Sequence, residues 1–309
     1  MSSTTPSVKK MFEGFTSFDV EVEPDISIRG IRRGNGPPLL LLHGFPQTHH
    51  IWHLVAPKLA SSYTVIAPDL RGYGASSKPH GSASHVEYAK STMARDCVTV
   101  MKHLGFTEFL VCGHDRGARV AHKLCVDYPT LVKKVMFLDI CPTLAMYSKT
   151  DQAFATAYFH WFLLIQEDPF PEEMILGNPN LMAERCFGKG LKGQGGGWDV
   201  GVFDEEVMKV YVAQLGNRES VHGMCEDYRA GATVDLAEQR KDIEHGRRIR
   251  CPVRVLWGRK GVVGRLFDAL TEWREVSDGS VDGEALDCGH YIPEEKPDEV
   301  VHHVMEFLV

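Results

Sequence analysis

The chain lacks the features that mark several broad protein classes. Its 309 residues contain no apolar run near the ~20 needed to cross a bilayer, and stretches such as Leu39 to Leu42 fall far short. Met1 to Phe12 carry no apolar core of a secretory signal. There is no basic excess: 34 Lys and Arg stand against 41 Asp and Glu, a formal charge of −7, which argues against a dedicated nucleic-acid binder. The eight cysteines form no Cys-x-x-Cys pair. Those in Leu110-Val111-Cys112 and Leu124-Cys125-Val126 sit in apolar text, as small hydrophobes of a reducing compartment do. The expected location is therefore cytoplasmic. No G-x-G-x-x-G follows the first parallel strand and no phosphate-binding G-x-x-x-x-G-K-[ST] occurs. The adjacent pairs His49-His50 and His302-His303 diverge on any regular element, so no metal and no cofactor are expected.

What is present is an ordinary globular composition, 43% apolar and 24% charged, in a chain about twice the length of one average domain. Phe15 to Val22 and Ile26 to Arg32 alternate as a strand hairpin. The unbroken run Pro38 to Leu42 suits a strand buried on both faces. Further strands are expected at Tyr63 to Ala67, Phe109 to Cys112, Leu131 to Ile140, Pro252 to Gly258 and, weakly, Gly283 to Leu286. Helices are expected at Ile51 to Ala60, Val86 to Leu104, Ala118 to Tyr128, Arg265 to Trp273 and Pro297 to Leu308. Alternation of this kind specifies a mostly parallel α/β sheet. It breaks between about 141 and 248, where the text is helical and Gly-rich. The expected organisation is a core of residues 1–140 plus 249–309, with a helical cap at 141–248.

The strongest chemical signal is Gly113-His114-Asp115-Arg116-Gly117 between a buried strand and a helix. It has the G-x-nucleophile-x-G form of a nucleophile elbow, with Asp115 at the apex. Such a turn lifts the central side chain above the sheet edge, beside the positive end of a helix. The bland alternative is a plain turn with a helix-capping Asp. Context weighs against it. His43-Gly44-Phe45-Pro46 ends the first buried strand, where an oxyanion-hole N–H is supplied in such folds, and Gly289-His290 follows the weak last strand, where the general base belongs. The strand resuming at Pro252 has no acid at its end before Asp268. The orienting acid is therefore assigned to Asp139, at the end of the strand preceding the helical interval.

An aspartate nucleophile narrows the chemistry. It can displace a leaving group from saturated carbon to form an ester, which water activated by His290 can hydrolyse at the carboxyl carbon. The backbone N–H groups of Phe45 and Arg116 would hold the resulting oxyanion. Carbon–halogen or epoxide hydrolysis follows more naturally than ordinary ester hydrolysis.

These motifs resemble the fluoroacetate (haloacetate) dehalogenases of the α/β-hydrolase superfamily. The likeness runs from Phe15 to Phe307 and includes Asp69-Leu70-Arg71-Gly72-Tyr73-Gly74, His114-Asp115-Arg116-Gly117-Ala118-Arg119, Tyr158-Phe159-His160-Trp161 and Asp227-Tyr228-Arg229-Ala230-Gly231. The resemblance implies an eight-stranded sheet with an inserted cap. It implies Asp115 as nucleophile, Arg116 and Arg119 as ligands of a substrate carboxylate, and His160, Trp161 and Tyr228 as donors to the departing halide. Paired guanidinium groups suit a carboxylate through charge-assisted bonds. One departure concerns the family's Phe-Gly-Trp-Gly segment, which here reads Phe187-Gly188-Lys189-Gly190 before a run from Gly193 to Gly197. Loss of that aromatic would enlarge the pocket or make it more polar.

The resulting expectation is a hydrolytic dehalogenase of a haloacetate or related 2-haloacid, its partners being a small carboxylate and water, with homodimer formation left open and neither nucleic acid nor membrane involved. An epoxide hydrolase, or another hydrolase of a larger carboxylate-bearing metabolite, is the enzymatic alternative, for which Tyr147, Tyr158, Tyr211 and Tyr228 are the available phenols. A non-catalytic ligand-binding protein on the same scaffold is the third reading, which the intact Asp115, Asp139 and His290 oppose.

Overall fold

The computed structural model describes residues 11–188 and 202–309. The altered segment Lys189 to Gly197 lies outside the described residues. Eight strands form one sheet: β1 (Thr16–Glu23), β2 (Ile26–Arg33), β3 (Pro38–Leu42), β4 (Thr64–Pro68), β5 (Phe109–His114), β6 (Val132–Leu138), β7 (Val253–Gly258) and β8 (Val281–Leu286). Their spatial order is β1-β2-β4-β3-β5-β6-β7-β8. The β1–β2 and β2–β4 pairs are antiparallel and the remaining pairs are parallel.

The leucine run shows why β3 is central. All four of its leucines are fully buried, and they divide by parity. Leu40 and Leu42 join the apolar cluster on one side of the sheet, and Leu39 and Leu41 join the cluster on the other. Alternate residues of a strand face opposite sides, so an unbroken apolar run is stable only when helices cover both faces. Each leucine so buried contributes about 1.5–3 kcal/mol relative to exposure. Helix Arg116–Asp127 packs beside β5, Lys90–His103 packs against that helix and β1, and Pro297–Phe307 contributes Val300 and Val304 to the opposite cluster.

The strand order reverses at β3. Its chain successor β4 lies on one side and β5 on the other. Open α/β sheets bind ligands above such a switch point, because loops leaving adjacent strand ends there diverge and leave a crevice. In register, Leu42 pairs with Gly113 and His114 with Leu138. The segments that begin at His43, Asp115 and Asp139 therefore leave the sheet side by side.

Between β6 and β7 every regular element among the described residues is a helix, from Thr143–Ser148 to Val234–Glu244. No helix among the described residues is long and apolar enough to cross a membrane. Three expected helices are shorter or divided. Ile51 to Ala60 becomes a 3-10 turn at His49–Trp52 and a short helix at Ala56–Leu59. Val86 to Leu104 becomes a 3-10 turn and the helix Lys90–His103, because Ala89 between them is extended at ψ 146°. Arg265 to Trp273 divides into Val262–Leu266 and Ala269–Arg274, with the Asp268 carboxylate capping the second by accepting from the Thr271 N–H at 3.1 Å.

Candidate active site

Asp115 stands between β5 and the helix Arg116–Asp127 with φ 48° and ψ −114°, a conformation that costs a non-glycine residue energy. The surrounding hydrogen bonds hold it there: its N–H donates to the Leu138 carbonyl at 3.2 Å, and its carbonyl accepts from Ala118 and Arg119. The elbow also needs Gly117. A Cβ at that position would lie 2.3 Å from the His43 carbonyl oxygen and 2.5 Å from that of Leu42.

The Asp115 carboxylate is 5% exposed. Its Oδ1 accepts from the Phe45 N–H at 2.9 Å, and its Oδ2 lies 3.9 Å from His290 Nε2. His290 Nδ1 is 2.6 Å from Asp139 Oδ2, and the other Asp139 oxygen accepts from the Gly258 N–H at 2.8 Å. Asp139 thus fixes both the tautomer and the orientation of the imidazole, leaving Nε2 toward Asp115. Asp139 also has positive φ, at 49°. The three residues expected from sequence order are brought together, His290 hydrogen-bonded to Asp139 and its Nε2 within 3.9 Å of Asp115. Of the two expected oxyanion donors, Phe45 N–H is already on the carboxylate, and Arg116 N–H opens the helix beside it.

The electrostatics follow from these contacts. Burial alone would raise the Asp115 carboxyl, but His290, His114, Arg116 and the Phe45 N–H outweigh it and hold the group below its ordinary value. For His290 burial works the other way, and the hydrogen bond to Asp139 overcomes it, so its basicity is raised. Burial pushes His160 down to about 3, despite Asp115 nearby, so that ring is neutral.

The carboxylate opens into a cavity of about 560 Å³. His160 and Tyr228 line it; Trp161 does not, being stacked behind on Tyr158 with ring centroids 5.6 Å apart. The Phe45 and His160 rings stack at 5.6 Å. The hydroxyls of Tyr158 and Tyr228 are buried and have no hydrogen-bond partner among the described residues, and both side chains line the cavity. Tyr147 is likewise unpartnered but does not line it, while Tyr211 donates to Glu294 at 3.1 Å.

Arg116 and Arg119 sit outside the cavity lining. Arg116 is fully buried over the Tyr228 ring, 4.2 Å from its centroid, and Asp227 holds it through Nε (2.9 Å) and Nη2 (2.7 Å). Its Nη1 has no partner. Arg119 lies over the Trp161 ring at 4.7 Å and donates to Thr143 Oγ1 at 2.5 Å, with Nε unpartnered. Sequence reasoning did not assign Asp227 a role. It sits at the centre of a buried network, since Lys90 Nζ and the Tyr73 hydroxyl also reach its carboxylate. No local pattern marks this network, because its members lie far apart in sequence. Among the described residues, Asp168, Glu172 and His222 place ligand-type atoms within 4.8 Å of one another. Arg229 already donates twice to Glu172 there, so a cation would compete with a guanidinium.

The model of the alpha/beta hydrolase fold matches residues 37–297. The chain belongs to the α/β hydrolase family. It is 41% identical to a fluoroacetate dehalogenase from Burkholderia sp over 299 residues, covering 96% of this chain and 95% of that protein. It is 33% identical to a soluble epoxide hydrolase from Corynebacterium sp. (strain C12), covering 90% of this chain and 92% of that one. The crystal structure of an α/β hydrolase from Nostoc sp PCC 7120 superimposes with a TM-score of 0.90 at 46% identity, covering 96% of this chain and 99% of that one. The family is thereby established, and its members here carry names for two different substrate classes.

Proposed function

We propose that this hydrolase removes halide from 2-haloacids through an ester on Asp115. The observation that carries the reading is the fixed carboxylate: Oδ1 is held by the Phe45 N–H and Oδ2 is left facing His290 and the cavity. In the first step Oδ2 attacks the carbon bearing the halogen, the carbon–halogen bond breaks, and the electron pair leaves with the halide. Neutral His160 and the unpartnered Tyr228 hydroxyl are the donors in the cavity suited to receive it. Trp161 would join them only by moving out from behind Tyr158.

In the second step His290 takes a proton from water, and the hydroxide adds to the Asp115 carboxyl carbon. The oxyanion that forms on Oδ1 is stabilised by Phe45 N–H, with Arg116 N–H as second donor. Collapse expels the alkoxide of the 2-hydroxy acid, which takes the proton from His290. Residues 141–248 act in this scheme as a cap over the core. Arg116 and Arg119 lie behind the cavity lining, so their unpartnered nitrogens would reach the substrate carboxylate only if the intervening side chains shift. The likeness to the Burkholderia dehalogenase supports this substrate class.

A second reading rests on the paired phenols. Tyr158 and Tyr228 both line the cavity that holds Asp115 and carry buried hydroxyls unpartnered among the described residues, donors of the kind that opening an epoxide requires. One panel separates the two: halide release from chloroacetate, fluoroacetate and 2-chloropropionate, against diol formation from glycidate, in wild type and Tyr158→Phe. The dehalogenase reading expects halide release that survives in Tyr158→Phe. Turnover of glycidate alone, abolished by that substitution, would replace it.

A further inference from the structure

The cavity is larger and more cationic than a two-carbon acid requires. Its volume of about 560 Å³ falls in the range that holds whole metabolites, so a haloacetate would fill only part of it. The rest of the lining has a different character. Phe159, Val262 and Leu266 give an apolar stretch, and beyond the catalytic residues three cations line the cavity: Arg185, Lys260 and Arg265. Asp115 is the only carboxylate among the described residues of that lining. In a protein of net charge −7 this is a local reversal of sign.

The three cations differ in how far they are already satisfied. Lys260 is paired with Asp287 at 3.1 Å on an exposed surface. Arg265 donates from Nε to the Gly261 carbonyl at 3.2 Å. Arg185, on helix Pro179–Phe187, is partly buried over the Phe159 ring, 4.9 Å from its centroid, and makes one long bond of 3.4 Å to the Ala157 carbonyl. Neither arginine has a carboxylate partner among the described residues. A guanidinium held over an aromatic ring, with most of its N–H groups unspent among the described residues, is ordered for a bidentate anion.

We propose that Arg185, with the exposed Arg265 of the same lining, forms a second anion subsite, and that the substrate is an α,ω-dicarboxylic acid carrying its leaving group at C2. This rests on the haloacid reading of the site. The near carboxylate and C2 lie at Asp115, the methylene chain crosses the apolar stretch, and the far carboxylate reaches Arg185. Such a subsite selects by length and by the charge of the tail, and it disfavours the two-carbon acids.

The test separates binding from turnover. Adipate and hexanoate, which cannot react, are titrated calorimetrically into wild type, Arg185→Met, Arg185→Lys and Arg265→Gln. Chloride release from 2-chloroadipate and 2-chlorohexanoate is measured in parallel. Wild type should bind adipate about tenfold more tightly than hexanoate, as one charge-assisted contact provides. Arg185→Met should bring the two within about twofold, Arg185→Lys should keep only part of the preference because an ammonium cannot bind bidentately, and Arg265→Gln, an exposed side chain, should reduce it while leaving the fold intact. The same preference should show in KM for the chlorinated pair. Equal binding of the two acids by wild type, or a preference undiminished in both Arg185→Met and Arg265→Gln, overturns the subsite. Preferential adipate binding without chloride release from either acid keeps the subsite and overturns the haloacid reading instead.

Discussion

Gly44→Ala is the perturbation whose consequence follows most directly from the geometry. A Cβ at Gly44 would lie 2.5 Å from Asp115 Cβ, 2.6 Å from Oδ1 and 2.9 Å from Cγ. Carbon atoms in contact sit about 3.5–4.0 Å apart, so the Asp115 side chain must retreat by roughly 1 Å. It cannot do so freely. Oδ1 is held by Phe45, the residue after Gly44, and the Asp115 backbone is pinned to Leu138. A displacement of that size at a reacting atom costs on the order of a hundredfold in rate. The overpacking should cost about 1–3 kcal/mol of stability. The assay is chloride release from chloroacetate, with the thermal midpoint measured alongside and Gly177→Ala, where a Cβ meets nothing within 4 Å, as the control. Activity of Gly44→Ala within about threefold of wild type, at an unchanged midpoint, would refute the claim that Asp115 is rigidly placed.

The other predictions concern charge. Asp227→Asn leaves Arg116 and Lys90 buried without their carboxylate and should cost about 3–5 kcal/mol in urea unfolding; a loss below 1 kcal/mol would show that the network is not the anchor described. His50, His114 and His160 are pushed down to about 3 and His122 to about 4, chiefly by burial. The unfolded chain therefore binds more protons than the folded one below about pH 6.5, and each group withdraws on the order of 1 kcal/mol of stability as the pH falls to 5. His222 and His290 are raised and oppose this, their contribution being present at low pH and lost as pH rises through their folded values. The net expectation is a thermal midpoint that falls between pH 7 and 5; a rise would contradict the assignment of four neutral imidazoles. For turnover, His290 must be neutral and its basicity is raised, so kcat should decline below an apparent pKa above 6.5. The first halide burst, which needs only the Asp115 anion, should stay constant to pH 5, and a burst falling in step with kcat would place His290 in the alkylation step.

Much of the sheet and the convergence of Asp115, Asp139 and His290 was legible because both are written locally. An apolar run, an elbow with two glycines, and a Gly-His after a weak strand each carry their meaning within a few residues. The strand order then brings His43, Asp115 and Asp139 together without further instruction. Asp139 could be reached by elimination, since the strand Val253–Gly258 ends without an acid. Other features needed the fold. The engagement of Arg116 by Asp227 depends on a contact between residues more than a hundred positions apart. The recessed position of Trp161, the cations Arg185, Lys260 and Arg265, and the two cavity-facing phenols depend on how helices of the 141–248 interval lie over the sheet edge. The divided helix at Val262–Arg274 turns on Asp268 acting as a cap, a role that its sequence neighbours only weakly signal.

The central claim is that Asp115 becomes covalently bound and that His290 releases it. The most direct measurement is the intact mass of His290→Asn after incubation with chloroacetate, followed by peptide mapping. The account predicts a stable added carboxymethyl group on the peptide containing Asp115, because ester formation proceeds and its hydrolysis is blocked. An unmodified His290→Asn protein, from a chain whose wild type releases chloride under the same conditions, would contradict it.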